Sequence, residues 1–512
     1  MEFSDNKQRI VNLSANIISF AISMAISFFL SPYIVKHLGA EANGYSNLAA
    51  NFVSYANIVK AALNSIGSRY IIKAYHQGDF DKANKYYSSL FYGDLFLAIV
   101  FSVISFVCVW NLESWINISK ELVTDVKILF ALIFANFLIN TVLTIFSSAP
   151  YIKNKIYLQS IRDIQSSLIR AILLVALFSF CDAKIFFVGL SALIPGLVVN
   201  IYNVYYKTRL VPELRVSKKN FSFATIKELL SQGIWNSLSS VGLMLLSSLD
   251  LLVANLFVSE ADMGILSVAK SMPGVISGLA SSLASVFFAE IMIAYSQNDM
   301  GKVAKIVKQS SMIIGAIVTI PNTFIIMYGS EFYSLWQPSL DSKQLQILSV
   351  LTALTYVVYA GGNNISHLFT VTLHVKENAI AIVVSGIISL GLTLTLLKFT
   401  DLGVYAIAGV STIVSSFRII FFNIPMTAKY IGKKKTEFAP VILRSVISTL
   451  VLCAAGYLLK LVLPSNTWLT LIISAVIFAL LSLAINMFVI MDKESRQVFA
   501  EMIMNKIKKK TN

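Results

Sequence analysis

Long apolar runs alternate with short polar loops from one end of the chain to the other. A run of about twenty residues crosses a hydrocarbon core of roughly 30 Å as a helix. Fourteen such spans are marked, approximately 11–35, 44–67, 86–110, 124–146, 159–180, 184–206, 231–257, 263–294, 306–329, 342–363, 377–398, 402–424, 441–461 and 468–490. Backbone groups in lipid must be bonded internally, so the spans are expected as helices rather than open sheet. The second is rich in Asn and Ser, and the tenth carries Gly361-Gly362-Asn363-Asn364, so these two are the least regular. The first apolar stretch is followed by many others and reads as a span, not a removable leader.

The polar positions repeat. At an offset of 220 residues, without a gap, Asn16 meets Asn236, Ser19 meets Ser239, Met24 meets Met244, Ser27 meets Ser247 and Gly44 meets Gly264. The longest run sets Ala74-Tyr75-His76-Gln77-Gly78-Asp79 over Ala294-Tyr295-Ser296-Gln297-Asn298-Asp299, with Lys82 on Lys302 and Lys85 on Lys305. An internal duplication in a membrane chain points to a transporter built from two related bundles. The repeat is six spans long, so both copies have one orientation and relate by an axis along the membrane normal. This gives an N-terminal six-helix bundle (1–206), a cytoplasmic linker (207–230) and a second six-helix bundle (231–426). Two peripheral helices (427–490) and a basic cytoplasmic tail (491–512) follow. Phe221, Phe223, Ile226, Leu229 and Leu230 make the linker a candidate interfacial helix.

Composition agrees with a polytopic all-α membrane protein. Of 512 residues 56% are hydrophobic and 13% charged, with mean hydropathy +0.74, whereas soluble domains run near a quarter charged. The net charge of +15 is spread over short loops, which excludes a nucleic-acid surface. Lys and Arg orient the spans. With the N-terminus inside, Lys7, Arg9, Lys82, Lys85, Lys153, Lys218, Lys219, Lys302, Lys433 and the tail Lys506-Ile507-Lys508-Lys509-Lys510 fall on the cytoplasmic side. The opposite loops hold only Lys36, Lys120, Lys127, Lys184, Lys343, Lys398 and Lys460. Both termini are therefore expected in the cytoplasm.

Polar residues inside a span are costly unless they face protein or water. In span one Asn12, Asn16, Ser19, Ser23 and Ser27 fall within an arc of roughly 80°, at about 100° per residue. Span seven repeats the device with Asn236, Ser239, Ser240, Ser247 and Asp250, while span two groups Asn57, Lys60 and Asn64. Two wet faces meeting would make a central cavity; alternatively, the serines are packing surfaces that let helices approach. The buried charges favour a cavity. Lys60 lies roughly 12 Å from the cytoplasmic end of its span, and Lys270 about as far from the external end of span eight. Arg170 shares a face with Asp163, Ser166 and Ser167, and Arg418 shares one with Ser411 and Ser415. Asp250 and Lys270 come out at similar depth, which leaves a structural ion pair open beside a substrate role. Lys60, Arg170, Lys270 and Arg418, with Asp250 and the amides of Asn16, Asn57 and Asn236, are the candidate substrate-binding residues. Unpaired cations in a wet cavity would attract an anion. No metal site, cofactor or enzyme activity is expected: His37, His76, His367 and His374 are placed in loops without metal spacing, and no phosphate-cradling glycine loop occurs.

The string Ser31-Pro32-Tyr33-Ile34-Val35-Lys36-His37-Leu38-Gly39-Ala40-Glu41-Ala42-Asn43-Gly44-Tyr45 resembles the first external turn of polysaccharide flippases. The Gly78-Asp79 loop with its basic flanks is similar as well, as is Asp250 before a weaker second turn at Gly264. The resemblance implies the Wzx-type branch of the multidrug/oligosaccharidyl-lipid/polysaccharide exporter superfamily, with a MATE-like pair of bundles in a bacterial cytoplasmic (inner) membrane. It implies a substrate too: a polyprenyl-pyrophosphate-linked sugar repeat unit, as in O-antigen or capsule synthesis, turned from the inner to the outer leaflet by alternating access. Membrane lipids, a polysaccharide polymerase and glycosyltransferases are the expected partners. Where some such flippases carry arginines in the first two spans, this chain offers Lys60 and, at the inner end, Arg69. Two alternatives share the fold: an exporter of teichoic acid or peptidoglycan precursor, and a multidrug antiporter, which would need an acidic cavity.

Overall fold

The computed structural model describes residues 5–497; the rest of the basic tail, including 506–510, lies outside the described residues. All regular secondary structure among them is helical. Eleven helices are long and apolar enough to cross a membrane, or thirteen spans if each of two bent helix pairs counts as one. Their outward faces fit that setting: Leu469, Leu480 and Phe488 on the helix Trp468–Val489 are 69%, 65% and 74% exposed. Such side chains are at home in hydrocarbon rather than water.

The chain is punctuated where the backbone demands it. The first helix, Asp5–His76, is broken at Gly39, whose φ of 80° and ψ of 169° are non-helical. That φ lies where a side chain would be strained and glycine is not. The pair Gly233–Ser248 and Asp250–Phe257 is bent by 44°, with a π-helical turn at Met244–Ser248. Ser342–Tyr359 and Asn364–Val371 meet at 57°, so the tenth span bends at its Gly-Asn run. His367 is not in a loop as expected: it lies within Thr355–Val371, its ring 5.1 Å from that of Phe288.

The duplication reappears in atomic detail. Asp79 caps the helix Phe80–Trp110 by accepting from the Lys82 amide at 2.9 Å, and Asp299 caps Met300–Trp336 by accepting from Lys302 at 2.8 Å. The residue before each cap has positive φ, 75° at Gly78 and 56° at Asn298. Amides of Gly78 and Asn298 donate to the carbonyls of Tyr75 and Tyr295, and those of Asp79 and Asp299 to Ala74 and Ala294. The Ala-Tyr-x-Gln-x-Asp run is thus one helix–turn–cap unit, in which Asp supplies the cap and Gly or Asn the left-handed turn.

Two compact units result. The first runs to Met244 and takes in Leu251–Gly264; the second comprises Leu245–Asp250 and the chain from Ile265. The division falls inside the seventh span rather than in the linker 207–230, because the start of that span is packed on the second. A Cβ on Gly233 would stand 2.0 Å from the Ala62 carbonyl oxygen, and the Ser237 hydroxyl donates to the Ile58 carbonyl at 2.8 Å. Gly44 and Gly264, matched by the repeat, touch each other: a Cβ on Gly44 would lie 2.9 Å from the Gly264 Cα. In the second unit Met300–Trp336 is the most enclosed of the described spans, with 67% of an 18-residue apolar stretch buried. Asn486 of the last helix donates to it at Ala316 (2.7 Å) and Thr319 (2.9 Å).

Candidate functional site

In the first unit the polar face of span two carries the strongest chemistry. Asn57 is exposed on the stripe it shares with Ala50 and Ser54, a stripe free of large apolar side chains. Lys60, one turn on, is half-buried, and its ammonium donates to Thr144 Oγ1 at 2.8 Å. Among the described residues no carboxylate lies within ion-pair distance of it. The carboxylate it does feel is Asp94, fully buried on the next helix, where Asn64 Nδ2 donates to Oδ1 at 2.6 Å and Oδ2 has no partner. Behind Thr144, whose hydroxyl donates to the Asn140 carbonyl, an amide chain crosses two helices. Asn140 donates to Asn136 at 3.0 Å, and Asn200 donates to Asn140 at 2.8 Å.

Arg170 sits on Tyr157–Phe180, exposed and without a hydrogen bond or ion pair among the described residues. The lipid-type face of that helix is marked by Ile161, Leu168, Ile172 and Val175, all well exposed. At 100° per residue Arg170 points about 180° from Ile161. Its own side also carries Ser167, whose hydroxyl meets that of Ser23 on span one at 2.9 Å. The guanidinium therefore belongs to a polar face turned away from lipid. Asp163 does not neutralise it, being paired with Arg162 at 2.8 Å. Asn16 and Asn236 are exposed, with side chains free of hydrogen bonds among the described residues.

The second unit uses its cations differently. Lys270 is ion-paired with Asp250 at 2.7 Å and also donates to the Ser247 carbonyl at 2.8 Å. Ser247 lies in the π-helical turn, where the regular ladder is interrupted, so the ammonium satisfies backbone that lipid would leave bare. Arg418 immediately precedes a second π-helical turn, Ile419–Asn423, and donates through Nη1 to Asn423 Oδ1 at 3.4 Å. Asn423 in turn donates to Ser366 at 2.8 Å. Of the four cations named from sequence, two are tied to broken helices and two, Lys60 and Arg170, make no ion pair among the described residues.

The turn that carries the resemblance is structural. Tyr45 is fully buried and donates to the Asn117 carbonyl at 3.2 Å. Asn117 and Asn255 exchange hydrogen bonds of 2.8, 2.8 and 3.0 Å. Sequence reading passed over Asp94, Asn136, Asn140, Thr144 and Asn200. A carboxylate inside an apolar run, and amides spaced i, i+4 in span four, were the signals that mark them.

A family profile described as "Polysaccharide biosynthesis protein" matches residues 10–288, more than half of the chain. The chain belongs to that family. This family member is 25% identical over 493 residues, 95% of its length and 96% of the relative's, to the "Uncharacterized membrane protein EpsK" of Bacillus subtilis (strain 168). Its fold is that of lipid II flippase MurJ in an inward closed conformation, with a TM-score of 0.69 at 14% identity over 92% of this chain and 98% of that one. An inward-facing multidrug resistance MATE family transporter of the MOP superfamily gives 0.66 at 15% identity, covering 83% and 98%. A MOP superfamily transporter from Pyrococcus furiosus gives 0.61 at 14%, covering 84% and 99%. The family member is thus a multi-pass membrane protein with a transporter fold, as the Ser31–Tyr45 string implied.

Proposed function

We propose that the protein flips a polyprenyl-pyrophosphate-linked oligosaccharide repeat unit from the inner to the outer leaflet of the bacterial cytoplasmic membrane by alternating access. The observation that carries this reading is the pair of unneutralised intramembrane cations, Lys60 and Arg170, on polar faces of the first unit. An intramembrane cation without a counter-ion is costly and marks a substrate or ion pathway by default. Pyrophosphate is that anion, and the free amides of Asn16, Asn57 and Asn236 suit sugar hydroxyls. The family and the flippase fold support the same substrate class. An organic-cation antiporter would instead need unneutralised carboxylates, whereas Asp250 and Asp163 are both paired.

The proposal includes fourteen crossings. Ser14–His76, at 63 residues, is about 95 Å long, three times a bilayer core of about 30 Å. Division at Gly39 gives spans one and two, and the bent pairs supply spans seven and ten. An even count puts both termini on one side, which the basic loops make the cytoplasm, where the glycosyltransferases of the pathway would be met. The test is reconstitution: proteoliposomes holding the protein should flip a fluorescent polyprenyl-pyrophosphoryl oligosaccharide, and Lys60→Met should reduce the rate. Uptake of a cationic dye with no glycolipid flipping would overturn the reading.

A further inference from the structure

The first unit contains a cavity of about 710 Å3 that takes no part in the polar face. Its walls are apolar: Val59 and Leu63 of span two, Phe96 and Leu97 of span three, and Ile226 and Leu230 of the helix Phe223–Leu243. Its volume lies in the range of small-molecule sites. Three features make it a built site rather than a gap between helices.

One is the tightly packed floor. Gly93 lines the cavity, and a Cβ there would come within 2.8 Å of Leu63 Cδ2, so the two helices meet here without a gap. Another is the rigid mouth, formed by the segment before Phe223–Leu243. Asn84 Nδ2 donates to the Glu213 carbonyl (3.2 Å), and the Arg215 amide donates back to Asn84 Oδ1 (2.6 Å). The amides of Ser217 and Ser222 donate to the hydroxyls of Ser88 (3.1 Å) and Ser89 (3.0 Å). Phe221 is set edge-on to Tyr92 at 5.9 Å, closing one side. The third is charge: Lys218, on this pinned segment, is the single charged residue of the lining. Phe96, Phe223 and Val59 are meanwhile 66%, 73% and 49% exposed, so the apolar walls open outward.

A preformed hydrocarbon slot with one lysine at its rim fits a single-headed anionic amphiphile. Free phosphate has no use for the apolar walls, and a neutral hydrocarbon has none for Lys218. We propose that this cavity is a binding site for the isoprenoid tail of a polyprenyl phosphate carrier, with the phosphate at Lys218. This rests on the lipid-linked flippase reading, and gives the unglycosylated carrier a place apart from the cations that receive the sugar-bearing pyrophosphate. Lys60 and Val59 are adjacent in sequence but about 100° apart on the helix, so the two sites lie on different faces of one span.

The test uses the full-length protein in phosphatidylcholine proteoliposomes with a diazirine-bearing polyprenyl monophosphate, peptides being mapped after photolysis. Crosslinks are expected on Phe96, Phe221 or Phe223, and unlabelled polyprenyl phosphate should compete while phosphatidylglycerol does not. Lys218→Gln should weaken labelling about fivefold, one basic contact's worth at a membrane surface. A diazirine-bearing polyprenol should label both proteins equally. Gly93→Leu should abolish labelling; Val59→Trp fills the slot from an exposed position and serves if Gly93→Leu fails to fold. Labelling that phosphatidylglycerol competes equally, or that both plugs leave intact, overturns the proposal. Lys60→Met should slow flipping and leave labelling unchanged, whereas saturable labelling of the wild-type protein with no flipping at all sinks the flippase reading alone.

Discussion

Lys60 and Lys270 are the same side chain under opposite constraints, and their mutants should separate. Lys270 neutralises Asp250 and caps the Ser247 carbonyl in a broken helix. Lys270→Met leaves a buried carboxylate and a bare carbonyl, and should cost about 3 kcal/mol of stability. Thermal unfolding in detergent would show the loss, and adding Asp250→Asn should recover part of it. Lys60 and Arg170 hold no anion, so Lys60→Met and Arg170→Met should leave the melting temperature nearly unchanged. Each should slow glycolipid flipping about tenfold or more, the worth of one charged hydrogen bond of about 1.5–3 kcal/mol. A melting loss equal to that of Lys270→Met would remove the distinction. The angular position of Lys60 and Arg170 was legible from helical periodicity within one span. Asp94 was not, because what gives it meaning is Asn64 and Lys60 across a helix–helix contact, and one helix's period carries no record of its neighbour.

At the scale of elements, the duplicated run turns out to encode a turn rather than a binding site. Asp79→Ala and Asp299→Ala should each cost about 1 kcal/mol, and similarly, since both carboxylates bond the amide three residues on at 2.9 and 2.8 Å. Unequal losses in thermal unfolding would mean that the two loops are not one device. Glycines offer a sharper contrast. A Cβ on Gly264 would lie 2.6 Å from the Ala40 carbonyl carbon, backbone that cannot swing aside, whereas one on Gly274 meets nothing within 4 Å. Gly264→Ala should therefore lower folded yield and cost at least the 1–3 kcal/mol typical of overpacking. Gly274→Ala, in a helix interior, should stabilise slightly. That the chain is a succession of apolar membrane-crossing helices could be read from hydropathy alone. The two π-helical turns could not, because Met244–Ser248 and Ile419–Asn423 contain neither Pro nor Gly to announce them. The tenth span's bend, in contrast, follows its Gly-Asn run.

For the whole molecule the decisive unknown is sidedness, and the chain carries its own reporter. Cys181 caps the C-terminal end of Tyr157–Phe180 and is exposed, next to Phe180 at 89% exposure. Cys108 is buried, and Cys453 lies half-buried within the apolar helix Ala439–Val462. Only a thiol in contact with water ionises and reacts readily, so a membrane-impermeant maleimide should modify the wild-type protein at one position. With the N-terminus inside and a break at Gly39, the end of the fifth span is external. Intact cells should therefore be labelled, and Cys181→Ser should abolish the signal. The linker gives the complementary reading: Lys219→Cys in the Cys181→Ser background, exposed beside the cavity mouth, should label only after permeabilisation. The opposite pattern would invert every loop at once. It would place Lys218 and the lipid cavity on the outer side, and with them the point at which a carrier lipid synthesised in the cytoplasm could first be met.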